Sequence, residues 1–215
     1  MRLAKICGVT TPEAVDAAAA GGASHVGFVF VPASPRAITP EAARTLAARA
    51  PDRLGRVGLF VDASDDEVLT AVRTAQLTAV QLHGRETPGR AAALRPRLPA
   101  GVDLWRALGI ATRAEAEQAA RDWRGVADRL LLDARPPPGA ALPGGNGLRL
   151  DWAMLAGFAP PLPWALAGGL TPANVAQAIA LSGAPMVDVS SGVEDAPGVK
   201  SSTRIAAFLA AVRAA

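Results

Sequence analysis

Tyrosine is missing from this chain altogether, and the other aromatics amount to four Trp and five Phe in 215 residues. So sparse a set excludes an aromatic stacking platform for single-stranded nucleic acid. Cys7 is the only cysteine, so no disulfide can form within the chain. The two histidines, His25 and His83, stand far apart and off ligand spacing, which argues against a zinc site. Lysine is confined to Lys5 and Lys200. None falls at a middle strand end, where a Schiff-base aldolase would need one. No G-x-G-x-x-G follows the first apolar run, which ends Lys5-Ile6-Cys7-Gly8, so a dinucleotide-binding open sheet is disfavoured. No charged residue occurs between Trp152 and Val187, yet Pro160, Pro161, Pro163, Gly168, Gly169 and Pro172 break that stretch before it could supply a membrane-spanning helix.

The N-terminus, MRLAKICGVT, lacks a charged region followed by a long apolar one, so no secretory leader is expected. The formal charge is +3 and the pI about 9.9, a balance that can draw anionic substrates toward a cleft. The arginines are scattered singly along the chain rather than run together, so nucleic acid is not an expected partner. The sequence reads as a soluble, cytoplasmic protein that acts on a small molecule. It is expected as a monomer, with a homodimer as the alternative.

Half of the residues are hydrophobic, enough for one folded domain over 1–215. Short apolar runs alternate with Ala-rich amphipathic stretches. The strand candidates are Arg2 to Cys7, His25 to Val31, Arg56 to Val61, Ala79 to His83, Val102 to Ala107, Arg129 to Asp133, Pro163 to Ala167 and Pro185 to Val189. Helices are expected to start at Thr11-Pro12-Glu13, Thr39-Pro40-Glu41, Ser64-Asp65-Asp66-Glu67 and Thr171-Pro172, and after Ser201. Most of these place a hydroxyl at the cap, with proline or acid behind it. This alternation in a chain of this length predicts an α/β fold, a parallel (β/α)₈ TIM barrel.

Barrel strands alternate between interior and helix-facing residues. Lys5 and Cys7 then share a parity in the first strand, Gln81 and His83 in the fourth, and Asp188 and Ser190 in the eighth. Asp133 ends the apolar run of the sixth. The polar members sit at C-terminal strand ends, the face on which such barrels build active sites. One such residue alone would be a satisfied polar group, but the same bias in four strands indicates a shared site.

Cys7 could be a small buried hydrophobe, or a general base if cationic neighbours favour its thiolate. Lys5 could be such a neighbour or could pair with Asp188. Asp133, partly desolvated, would have a raised pKa and could act as a general acid, or it could merely cap a loop. Gly168-Gly169 and Ser190-Ser191-Gly192 follow the seventh and eighth strands, where barrels commonly bind phosphate. Glycines there let backbone N–H groups approach the oxygens, and serines add hydroxyl donors. Arg36, in Ser34-Pro35-Arg36, could bind a carboxylate bidentately or lie on the surface. Arg106 is a weaker candidate, because an internal ion pair would serve it equally. The segment 135–147, RPPPGAALPGGNG, reads as a long loop of the kind that often covers an active site.

Taken in order, KICGVT, GFVF with SPR, VGLFV, VQLHG, LLLDA, GGNG followed by DW, LAGGLTPANV, and DVSSGVE followed by PGVKS resemble the phosphoribosylanthranilate isomerases of tryptophan biosynthesis. The resemblance runs from Lys5 to Ser201. It implies an Amadori rearrangement of N-(5-phosphoribosyl)anthranilate to the 1-(carboxyphenylamino)-1-deoxyribulose 5-phosphate, with no metal or organic cofactor. It also implies Cys7 as general base, Asp133 as general acid, and Arg36 as the contact for the anthranilate carboxylate. Gly168, Gly169, Ser190, Ser191 and Gly192 would cradle the phosphate, with His83 and Asp188 as accessory site residues. One departure stands out. The family loop reads Gly-Gly-Thr/Ser-Gly, then a basic residue and, two positions on, Phe. Here Asn146, Leu148 and Leu150 occupy those places.

Two rival readings fit the residues less well. Indole-glycerol-phosphate synthase would require catalytic lysines and a glutamate that are not found. A silent barrel that only binds a phosphorylated metabolite is disfavoured by the intact Cys7 and Asp133.

Overall fold

The computed structural model describes residues 2–135 and 150–215. Eight parallel strands close into a barrel in sequence order: β1 (Leu3–Cys7), β2 (His25–Val29), β3 (Gly55–Phe60), β4 (Ala79–Leu82), β5 (Asp103–Ile110), β6 (Arg129–Ala134), β7 (Trp164–Leu166) and β8 (Met186–Val189). The seam is β1 against β8, with Lys5 level with Asp188. The expected strands all form. The largest departure is β5, which runs on through Leu108, Gly109 and Ile110 to pair with β6 as far as Ala134.

Helices α1 (Pro12–Ala20), α2 (Pro40–Ala47), α3 (Asp65–Thr74), α4 (Pro88–Leu94), α5 (Arg113–Asp122), α6 (Val175–Ser182) and α7 (Ser202–Ala214) fill the crossovers and close the chain. The Thr11 and Thr39 hydroxyls accept from the N–H groups of Ala14 and Ala42, and Ser64 and Glu67 form a reciprocal capping box. Thr87 and Thr112 cap α4 and α5 in the same way, although neither start was expected. The expected start at Thr171-Pro172 is displaced, and α6 begins at Val175. The Asn174 carboxamide instead holds the turn, accepting from the Thr171 N–H at 2.8 Å and donating to the Gly169 carbonyl at 2.9 Å. Between β6 and β7 the described residues contain only a 3₁₀ turn, Trp152–Leu155. Apart from Arg135, the long loop expected at 135–147 lies outside the described residues, as do Asn146 and Leu148.

Two separate apolar layers result. The larger lies between strands and helices, and takes Ile6, Phe28, Phe60, Leu82, Leu104, Leu130, Leu132, Leu166 and the helix faces. The smaller fills the barrel itself and groups Trp105 with Val57, Ala79, Ala107, Leu131, Ala165, Ala167 and Met186. One indole surrounded by alanines accounts for part of the Ala content, since a second large side chain would overfill the interior. His25 meets Trp105 edge-on at 4.9 Å, and the Arg129 guanidinium lies 5.0 Å from the same ring. At Gly55 a Cβ would come within 2.3 Å of the His25 ring.

Arg106 has the helix-facing parity, opposite to that of Trp105 and Ala107. It lies against the Trp123 ring and donates to Glu86 at 2.7 Å. Its guanidinium also reaches the carbonyls of Leu82 and Gly84, while Glu86 accepts from the backbone N–H groups of Asp62 and Gly84. The pair therefore ties the loops after β3 and β4 to β5 from outside the barrel. Both side chains are almost fully buried. Removing one partner leaves the other charge buried and uncompensated, which typically costs ~3–5 kcal/mol. Glu86→Ala is expected to lose stability on that scale in urea unfolding; a loss under about 1 kcal/mol, the range of an exposed pair, would contradict this assignment.

Candidate active site

At the C-terminal rim of the barrel, Lys5 is fully buried on the interior face of β1. Its ammonium donates to Asp188 Oδ1 and to Gln81 Oε1, both at 2.9 Å, and so spans the interior from the β1–β8 seam to β4. Both roles that the sequence left open are realised: Lys5 pairs with Asp188, and it lowers the Cys7 pKa. Burial works against the ammonium, but Asp188 and then Cys7 outweigh it and hold the Lys5 pKa above its ordinary value.

This contact orients its neighbours. An ammonium only donates, so the Gln81 atom facing it is the carbonyl oxygen, and the Gln81 amide nitrogen points the other way. That nitrogen lies 3.3 Å from His83 Nδ1. An amide N–H donates, so Nδ1 accepts, and the proton of the neutral ring belongs on Nε2. Burial, with Lys5 and Arg106 nearby, lowers the His83 pKa to about 3, so the ring is neutral at physiological pH. Its Nε2 is buried with no hydrogen-bond partner among the described residues.

Cys7 ends β1, directly beyond Lys5 on the interior face, packed with Val29 and Leu59. Burial pushes the thiol pKa up; Lys5 opposes that rise, Asp188 adds to it, and Lys200 opposes it again. The cationic neighbours therefore do not bring the thiol pKa below its ordinary value, contrary to the expectation that they would favour the thiolate. Gly27, beside Cys7 on β2, leaves the necessary room, since a Cβ there would stand 2.9 Å from Cys7 Sγ and 3.1 Å from the Lys5 side chain.

Asp133 has the interior parity of β6, one residue beyond the level of Leu132, and is 8% exposed. Its Oδ1 accepts from the Ala134 N–H at 2.7 Å. Burial is the main cause that pushes its pKa up to about 7; Asp188 adds to the rise, while the Ala134 N–H and Lys5 oppose it. Lys5 and Asp188 thus act on both Cys7 and Asp133, which puts the thiol and the carboxyl in one electrostatic field. Gly168 follows β7 with φ +88°, and a Cβ there would lie 2.6 Å from Asp133 Oδ1.

The two glycine-bearing loops meet beside this pair. Gly169 is also left-handed. A Cβ at Gly192 would fall 1.9 Å from the Leu170 carbonyl, so only glycine lets the loop after β8 close on the loop after β7. Ser190 Oγ donates to the Cys7 carbonyl at 3.1 Å, and Ser191–Val193 form a 3₁₀ turn. Arg36 is neither on the surface nor unengaged: its Nε and Nη2 donate to the two oxygens of Glu194 at 2.7 and 2.8 Å. Glu194 and Lys200 were not singled out by sequence reasoning. Their only signal was the conjunction of SSGVE with PGVK, a short acid-to-base spacing around a Pro-Gly turn.

The Asp133 ion is disfavoured in the fold. Its contribution to stability is therefore fully present below the ordinary carboxylate pKa of about 4 and is lost as pH rises toward about 7. Asp133→Asn keeps an acceptor for the Ala134 N–H and removes the charge. It is expected to stabilise the fold, by little at pH 4 and by up to a few kcal/mol at pH 8, as measured by denaturant unfolding. A gain that does not grow with pH would contradict the reading.

A sequence model of one protein family, described as N-(5'phosphoribosyl)anthranilate (PRA) isomerase, matches residues 4–211. The N-(5'-phosphoribosyl)anthranilate isomerase of Paramagnetospirillum magneticum is 52% identical over 212 residues, 97% of this chain and 96% of that protein. The crystal structure of phosphoribosyl anthranilate isomerase from Thermotoga maritima superposes with a TM-score of 0.87 at 34% identity, with 100% of both chains covered. A phosphoribosyl anthranilate isomerase in complex with reduced 1-(o-carboxyphenylamino)-1-deoxyribulose 5-phosphate superposes at 0.84 with 33% identity, again over 100% of both chains.

Proposed function

Since the chain belongs to the N-(5'-phosphoribosyl)anthranilate isomerase family, we propose that Cys7 and Asp133 are the proton-transfer pair of its isomerisation. The activity is an aldose-to-ketose isomerisation in tryptophan biosynthesis. It converts N-(5'-phosphoribosyl)anthranilate to 1-(2-carboxyphenylamino)-1-deoxyribulose 5-phosphate. The observation that carries the assignment of roles is the raised pKa of Asp133, a carboxyl that still holds its proton near neutrality and stands in the same field as a thiol.

In this reading Asp133 donates its proton to the ribose ring oxygen as the C1–O bond breaks, and the anilino nitrogen lone pair forms the C=N bond of an iminium. Cys7, as thiolate, takes the proton from C2. The C2–H electron pair becomes the C1=C2 bond of an enolamine, which tautomerises to the ketone. Lys5 supports the thiolate and stays paired with Asp188. His83 offers its Nε2–H to a substrate oxygen. Arg36 meets the anthranilate carboxylate, and Gly168, Gly169, Ser190, Ser191 and Gly192 take the phosphate with backbone N–H groups and hydroxyls. Asp188 acts on the substrate indirectly, by holding Lys5 and by raising Asp133.

One barrel domain over residues 1–215 carries this site. We place the enzyme in the cytoplasm as a monomer. In support, no helix among the described residues is long and apolar enough to cross a membrane, and the exposed large apolar side chains there, Leu3, Leu181 and Val199, are scattered along the chain.

Cys7→Ala and Asp133→Asn are each expected to lower kcat by ~10²–10⁴-fold, followed by the decay of anthranilate-adduct fluorescence. A rate near wild type in either variant removes that residue's role. The pH dependence follows from the two shifts. Below about 7 Asp133 stays protonated while the thiolate fraction grows, so kcat/KM rises with pH. Above about 7 the loss of protonated Asp133 offsets the growth of thiolate, and the profile levels until the thiol itself has titrated. A profile that falls steeply from pH 7 would place the thiol below Asp133 and contradict the assignment.

A further inference from the structure

After β8 the chain makes a small antiparallel hairpin, β9 (Glu194–Ala196) and β10 (Val199–Lys200), turned by Gly198 at φ +83°. Its register sets Glu194 opposite Lys200, and their side chains meet at 2.6 Å. Both are buried, with the Lys200 side chain showing no exposed surface and the Glu194 side chain 4%. Each makes a second set of contacts that leads to a different end of the site. Glu194 holds the Arg36 guanidinium through both carboxylate oxygens and accepts from the Gly198 N–H at 3.3 Å. Lys200 donates to the Ser190 carbonyl at 2.9 Å and to Ser190 Oγ at 3.3 Å, and Ser190 in turn donates to the Cys7 carbonyl. The result is one continuous path: Arg36, Glu194, Lys200, Ser190 and the backbone of Cys7.

We propose that Lys200 is a positioning residue that couples the two anion-binding ends of the site, setting Arg36 for the substrate carboxylate through Glu194 and setting the phosphate-side loop through Ser190. This rests on the assignment of Arg36 and Ser190 to those two ends. The charge count explains why a lysine is needed. Arg36 and Glu194 alone would neutralise each other, so a carboxylate ligand would have to compete with Glu194 for a guanidinium already fully matched. A second cation on Glu194 leaves the trio with net positive charge and makes Glu194 the shared anion of two cations. The guanidinium is then oriented by Glu194 yet still attractive to an incoming carboxylate. Burial works against the Lys200 charge, whereas Glu194 is held below the ordinary carboxylate range because Arg36 and Lys200 outweigh its own burial. Lys200 also favours the Cys7 thiolate, so the same ammonium acts on binding and on the base.

The test uses inorganic phosphate and anthranilate as separate inhibitors of the intact enzyme, one probing each end. In Lys200→Met both are expected to inhibit more weakly, by roughly tenfold, with KM for the substrate rising more than kcat falls, as expected when binding groups are misplaced by about an ångström. Weakening of only one probe, or of neither, overturns the coupling. A fall in kcat with unchanged KM overturns it as well. If Lys200→Met does not fold, Glu194→Gln carries the same expectation, because it removes the shared anion while keeping the side-chain shape. Arg36→Gln separates this inference from the reading beneath it. Unchanged anthranilate inhibition there removes the assignment of Arg36. Anthranilate inhibition lost there but kept in Lys200→Met removes only the role of Lys200.

Discussion

The open end of this barrel is organised by one ammonium, that of Lys5, buried where β1 closes against β8. An unpaired charge at that depth would be untenable, so Asp188 on the adjoining strand and Gln81 across the interior must face it. Those two contacts then decide much else. Gln81 has no freedom to flip, so the His83 tautomer is set. Asp188 raises both Asp133 and Cys7, while Lys5 lowers both. The thiol and the carboxyl consequently titrate against one another's environment rather than against bulk water. A neutral residue at position 5 would leave Asp188 buried without its partner and remove a cation that opposes the desolvation of both groups.

The residues that stabilise the fold are separate from those proposed to react. Burial of two apolar layers, one wrapped by helices and one packed around Trp105, supplies the stabilising term. Ion pairs that serve the scaffold, such as Arg106 with Glu86, lie on the helix-facing side of the strands. At the rim the reverse holds: Asp133 is kept in a place that penalises its charge, and Gly27, Gly168 and Gly192 give up side-chain packing so that Cys7, Asp133 and the two loops can approach. A carboxyl that would be more stable elsewhere, or as an amide, is what an acid working near neutral pH requires.

Much of this was legible in residue order. Short apolar runs bounded by Gly and Pro marked all eight strands, because a strand buried on both faces must be apolar and short. The alternation of polar residues near strand ends placed Lys5, Cys7, Gln81, His83, Asp133 and Asp188 on the interior, because strand parity is a local property. The internal ion pair open to Arg106 also forms, with Glu86 as its partner on the helix-facing side. The same reasoning misplaced the start of α6, where Thr171-Pro172 has the form of a cap but the Asn174 side chain takes over the turn. Arg36 looked like a lone arginine after β2 because its partner Glu194 lies 158 positions further along.

The sequence by itself therefore determined the fold and the order of its strands, and it singled out Cys7, Asp133 and the loops after the seventh and eighth strands as candidates for the site. All of these follow from periodicity and from short motifs whose backbone chemistry is local. Only the tertiary structure decided which charges neutralise which, that Lys5 acts on both Asp188 and Cys7, and in which direction burial moves each pKa. It also brought Glu194 and Lys200 into one hydrogen-bonded path between Arg36 and Ser190. Those properties depend on distances between residues far apart in the chain and on the water excluded around them, and neither is encoded in any single stretch of sequence.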